Sequence, residues 1–214
     1  MQKAVPFTQA NLVVGEGKVD QFFFAKLFAV HNLVGFEARH ATFGSDSSGG
    51  ANKIREYLKG LNADSSFSVV RKVIVVGDND DAAAFQRIRA EVVAANYIAP
   101  AAPRQFIQTP KKPELAILMV PDAPPGCIES LCLAAAATKW PQLTAPLGTY
   151  FNSTDAPNWN SSKQAKMKVE CILASTCEQN PQVALSDIWQ KNGQYQIPLD
   201  DPVFQDIVDF LRTV

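Results

Sequence analysis

The chain has 214 residues, a length that points to one domain with an extension rather than two full domains, and its 47% hydrophobic and 19% charged residues exclude a disordered polymer. No apolar run approaches the ~20 residues a membrane helix needs, and the opening Met1-Gln2-Lys3-Ala4-Val5-Pro6 lacks the basic-then-apolar pattern of a signal peptide, so a cytoplasmic protein with no membrane partner is expected. The net charge of −1 argues against a protein that holds nucleic acid unaided through a broad basic surface.

In chain order, Asn11 to Glu16 reads as a short apolar strand closed by an acid, followed by Gly17, Lys18, Val19 and Asp20 and an apolar helix over Phe22 to Val30. Asp20 falls in the first helical turn, where the helix dipole favours a carboxylate on its own account. Gly35 to Thr42 forms a second strand. The stretch from Gly44 to Gly50 is a linker first and a substrate loop second, since it lacks the Lys-Ser/Thr ending of a phosphate-cradling P-loop. Asn52 to Leu61 is a helix with Ile54, Tyr57, Leu58 and Leu61 on one face.

The third strand, Val73 to Val76, is a β-branched run suited to burial on both faces, and it leads directly into Gly77-Asp78-Asn79-Asp80-Asp81 and a helix over Ala82 to Ala95. These acids therefore fall at the carboxyl end of a strand, where open α/β sheets place their ligands. If strand geometry persists, Asp78 and Asp80 point to the same side and share one ion, with Asn79 pointing away. An oxygen-only site of this kind suits Mg²⁺ or Mn²⁺. The competing reading is a solvated turn with Asp81 as the helix N-cap.

A proline-rich connector from Pro100 to Pro113, carrying Arg104, Lys111 and Lys112, leads into the fourth strand, Leu115 to Val120. Pro124-Pro125-Gly126 breaks the chain before an apolar helix over Ile128 to Ala137. Glu129 stands at that strand-to-helix junction, on the same edge as the earlier acids or simply as a capping residue, and Asp122 is equally ambiguous. The alternation of strand and helix gives a mainly parallel sheet with helices on both faces.

From residue 139 to 214 the pattern changes to a C-terminal helical extension, with helices over Lys163 to Ala174 and Phe204 to Leu211 packed on the core of residues 1–138. Lys166 and Lys168 lie about 200° apart on a helix, so at most one faces the acids. Trp159, Trp189, Tyr195 and Phe210 read as packing residues. Cys127, Cys132, Cys171 and Cys177 form no Cys-x-x-Cys pair and stand far from His31 and His40, so reduced, mostly buried thiols are expected rather than zinc ligands.

The segments Val-Val-Gly-Glu-Gly-Lys-Val-Asp (13–20) and Val-Val-Gly-Asp-Asn-Asp-Asp (75–81) together resemble the Toprim domain of topoisomerases, primases and the overcoming-lysogenization-defect nucleases. That family carries a Glu after its first strand and an Asp-x-Asp after a later one, here matched by Glu16, Asp78 and Asp80. Pro125-Gly126-Cys127-Ile128-Glu129-Ser130-Leu131 and Lys166-Met167-Lys168 are further similar to segments of short, stand-alone Toprim-related proteins. The resemblance implies a Rossmann-like fold and a Mg²⁺- or Mn²⁺-dependent nuclease acting on DNA or RNA. In it Asp78 and Asp80 bind metal, Glu16 binds metal or handles a proton, Asp20 and Glu129 assist a second ion, and Lys168 or else Lys166 stabilises the transition-state charge.

It also implies an ABC-type ATPase as partner and an anti-phage setting, with self-association into a homo-oligomer left open. Val19 and the lack of a basic groove depart from the wider pattern. They keep a second reading in view, a catalytically silent module that binds metal or nucleic acid. A primer-synthesising or strand-passing enzyme fits poorly, because the chain has no room for that apparatus.

Overall fold

The computed structural model describes residues 5–41, 51–61, 63–189 and 197–214; the 44–50 loop and Tyr195 lie outside them. In chain order the elements are β1 (Asn11–Gly15), α1 (Lys18–Val30), β2 (Phe36–His40), α2 (Ala51–Leu61), β3 (Lys72–Asp78), α3 (Ala84–Ala94), β4 (Ile107–Gln108), β5 (Glu114–Val120) and α4 (Ile128–Lys139). The C-terminal part adds α5 (Pro141–Asn152), α6 (Ser161–Thr176), α7 (Leu185–Ile188) and α8 (Gln205–Arg212). Among the described residues no helix is long and apolar enough to cross a membrane.

Five strands form one sheet in the order β2-β1-β3-β5-β4, parallel throughout except for β4, which runs antiparallel to β5. The chain leaves β1 toward β2 and then crosses back over β1 to β3. With right-handed crossovers, that reversal puts α1 and α2 on opposite faces and opens a crevice between the carboxyl ends of β1 and β3. The fold is thus α/β and Rossmann-like, with helices on both faces and a helical C-terminal part.

Strand alternation divides the core in two. Val13, Ile74, Val76, Ala116, Leu118 and Val120 face α1, α4 and the C-terminal helices, while Leu12, Val14, Val73, Val75, Leu115 and Ile117 face α2 and α3. The C-terminal helices complete the first of these layers: the Phe23 ring lies 5.5 Å from both Trp189 and Phe204. Ile74, at the sheet centre, is fully buried, so Ile74→Ala is expected to cost about 2–5 kcal/mol of unfolding free energy in denaturant titration; a cost below about 1 kcal/mol would contradict this packing.

The boundaries move for local reasons. Helix α1 begins at Lys18, ahead of the apolar run, because the Asp20 carboxylate accepts a hydrogen bond from the Gly17 amide at 2.9 Å and closes the first turn. Helix α3 starts at Ala84 rather than Ala82, since Asp81 accepts from the Ala83 amide at 2.7 Å and holds a turn there. Asp81 is therefore a turn residue two positions ahead of the N-cap, Ala83. Within the proline-rich connector, β4 pairs Ile107 with Leu115 and Gln108 with Glu114, a two-residue strand too short to leave a periodic signal.

Candidate functional site

Three strand ends meet at one edge of the sheet. Glu16 follows β1, Asp78 ends β3, and Glu129 lies in the first turn of α4 just beyond β5. Asp20 reaches the same place from the first turn of α1, which close packing allows: a Cβ on Gly15 would lie 2.2 Å from the Asp20 Cβ. Gly77 serves β3 in the same way, since a Cβ there would lie 1.8 Å from Ile88 Cδ1. Glycine at both positions lets the helices close onto the strand ends and hold the acids in the crevice.

The electrostatics of the group are unfavourable for full ionisation. Burial pushes the Asp78 carboxyl up to about 8, helped by the neighbouring charges of Asp20 and Glu129 and opposed by Lys166. Burial likewise pushes Asp20 up to about 7, the Gly17 amide opposing and Glu129 and Glu16 reinforcing. Glu16 is raised by burial and by Asp80, with Lys166 and Arg87 opposing. Each shift combines loss of hydration with like-charge repulsion. A third of the Asp78 side chain reaches solvent, which screens part of that repulsion.

The lysine facing the acids is Lys166, on α6, with Nζ 3.9 Å from Asp78 Oδ2 and 3.9 Å from Glu129 Oε1. Burial alone would lower its pKa, but Glu129 and Asp78 more than offset that and raise it. Lys168 turns the other way and lies with Nζ 5.4 Å from the centre of the Phe151 ring. The place facing the acids, expected first of Lys168, is therefore taken by Lys166, because the two-residue step carries Lys168 to another side of α6.

Asp80 also departs from expectation. The strand ends at Asp78, and an isolated bridge between Asn79 and Gly126 redirects the chain, so the alternation that would set Asp78 and Asp80 side by side stops. Asp80 is exposed, with Oδ1 3.1 Å from Arg87 Nη2, while Asp81 lies 2.7 Å from Arg87 Nη1. Asn79 points away from the acids and donates to the Asp122 carbonyl at 2.9 Å, fixing the proline-rich turn. Asp122 itself is exposed outside the crevice.

Among the described residues no three His, Cys, Asp or Glu side chains stand close enough to hold one ion in common. Asp20, Asp78, Glu16 and Glu129 interact electrostatically without converging on a single point. Two neighbours were not read as site residues from the sequence. Arg87 clasps Asp80 and Asp81 beside Glu16, a link six and seven positions along the chain that follows only from how α3 docks. Cys127, the N-cap of α4, is a buried thiol pushed up to about 11 by burial and by Glu129, and so is held protonated at neutral pH.

Fold and site together define an α/β protein with a carboxylate-rich, lysine-bearing crevice at its topological switch point. The chain belongs to the family described as protein of unknown function (DUF3226), whose model matches residues 10–214. No curated protein and no solved structure matches it.

Proposed function

We propose that the protein is a cytoplasmic, Toprim-type phosphodiesterase that uses Mg²⁺ or Mn²⁺ to cut DNA or RNA. The observation that carries this reading is the excess of acid in the crevice: Asp20 and Asp78 are pushed up to about 7 and 8 while Lys166 is the cation placed between Asp78 and Glu129. A hard cation relieves such a charge imbalance, and the donors are all oxygens, as Mg²⁺ and Mn²⁺ prefer. An ion here would be held by one or two of these carboxylates and otherwise by water, the usual habit of Mg²⁺.

Asp78 and Glu16, on either side of the switch point, would hold the ion, with Asp20 and Glu129 behind them and Asp80 at the outer rim. When bound, the ion supplies an activated water and charge stabilisation on the phosphate. Lys166 supplies a fixed positive charge to the phosphoryl oxygens, and Glu129 and Asp78 keep that ammonium protonated. Where it does not ligate the ion, Glu16, raised by burial and by the charge of Asp80, would instead handle the proton. The net charge of −1 leaves much of the attraction to nucleic acid to the ion and to a partner, for which an ABC-type ATPase in a defence system is the proposed candidate.

The clasp of Arg87 on Asp80 favours a second reading, a module that binds metal or nucleic acid without turnover. Thermal melting tests the ion common to both. At about 100 times its Kd, Mn²⁺ or Mg²⁺ should add about 2.7 kcal/mol, raising Tm by roughly 5–10 °C. No shift in the intact protein, or an equal shift in Asp78→Asn, would contradict binding here. Metal binding with no cutting of either nucleic acid would leave the silent module.

A further inference from the structure

We propose that a shallow groove beside the acid crevice binds one unstacked base of a single-stranded nucleic acid on Trp159, with the flanking phosphates on Lys163 and Lys166. The inference rests on the phosphodiesterase reading, and gives that site a substrate form. The groove has a volume of about 380 Å³ and is lined by Trp159, Lys163, Lys166, Met167 and Glu170.

Trp159 is 41% exposed, whereas Trp189 is buried in the core at 5%. Its segment is nonetheless fixed. The Trp159 carbonyl accepts from Gln164 Nε2 at 2.9 Å, its amide donates to the Ala156 carbonyl at 3.0 Å, and Asn160 caps α6 through the Lys163 amide at 2.8 Å. A backbone fixed before binding leaves only the indole's own rotamers to be ordered on capture.

Positions 163, 166, 167 and 170 follow the three- and four-residue spacing of one helix face, so the two lysines and the half-exposed Met167 border the indole together. No carboxylate of the described residues pairs with Lys163, and Glu170 sets a negative limit at the far end. The groove therefore suits one base and two phosphates rather than a long strand. Lys166, between Lys163 and Glu170 on that face, also reaches Asp78 and Glu129, so the phosphate it contacts lies next to the acids. Every nucleobase presents a π-face for such stacking, but in a duplex those faces are already covered, which selects single strands.

Binding of fluorescein-labelled dT12, U12 and an abasic 12-mer, followed by anisotropy in Ca²⁺ and paired with cleavage in Mn²⁺, tests the groove. Trp159→Ala should weaken dT12 or U12 binding about ten- to hundredfold and lower kcat/KM in step, with Trp159→Phe keeping most of both. The abasic strand should bind weakly and equally to wild type and Trp159→Ala. The U12 arm against a dU12 arm, which differs from it only at the 2′ position, shows which sugar is preferred. With two phosphate contacts, log K against log salt should slope about −1.4, and Lys163→Ala should remove about half of that.

Unchanged binding in Trp159→Ala, or an equal loss on the abasic strand, overturns the base platform. Cleavage that persists unaltered in Trp159→Ala would sink the platform and leave the phosphodiesterase standing. Trp159-dependent binding without any cleavage would do the reverse, and a wild type that neither binds nor cuts removes both.

Discussion

Asp78→Asn should abolish metal binding and phosphodiester cleavage together, because it removes the charge at the centre of the crevice while preserving shape. Lys166→Ala should lower kcat by about 10² to 10³ with metal still bound, the usual cost of losing one preorganised charge-stabilising group. Lys168→Ala should cut like wild type, since that ammonium lies over Phe151. Asp80→Asn separates the rim from the centre: freed from Arg87, it should weaken cleavage less than Asp78→Asn. Steady-state cleavage with isothermal titration of Mn²⁺ resolves these effects. Equal losses in Lys166→Ala and Lys168→Ala would mean that the orientation of α6 does not set the chemistry.

In EDTA the stability of the protein should fall as pH rises from about 4 to 8. Asp78 and Asp20 carry folded-state values of about 8 and 7, above the roughly 3.9 of an unfolded Asp. The fold therefore binds protons more tightly than the unfolded chain does. Its advantage is complete below the unfolded value and is lost as pH climbs through the folded ones. Asp78→Asn should flatten this profile and make the metal-free protein more stable than wild type above pH 8, by on the order of 1 kcal/mol after screening. Saturating Mn²⁺ should reverse the slope for wild type, because carboxylates must lose their protons to bind metal. Chemical denaturation across pH reads both effects; an identical slope in wild type and Asp78→Asn would contradict the assignment.

The sheet and the positions of its acids were legible because β-branched and apolar runs such as Val73 to Val76 end abruptly in charge, and that contrast survives in one dimension. Asp20 shows where a local rule is incomplete. Its capping of Gly17 and its place among the acids are the same geometry, so the two readings were never alternatives. Glu129 is similar, a first-turn acid that is nevertheless buried. What stayed hidden depends on tertiary packing: the phase of α6 that presents Lys166 instead of Lys168, the clasp of Arg87 on Asp80, and the bridge at Asn79 that ends strand alternation. Trp159 was read as a packing residue because aromatic residues in a helical extension usually are. Its 41% exposure depends on how the segment ahead of α6 docks, which composition does not encode.

The most direct test of the metal-dependent reading is anomalous diffraction from crystals soaked in Mn²⁺. A peak is expected in the crevice with an Asp78 oxygen and an oxygen of Glu16, Asp20 or Glu129 at ~2.0–2.6 Å, the remaining ligands being water. A crevice without a peak at saturating Mn²⁺, or a peak bound only at Asp80 and Asp81 on the outer rim, would contradict it.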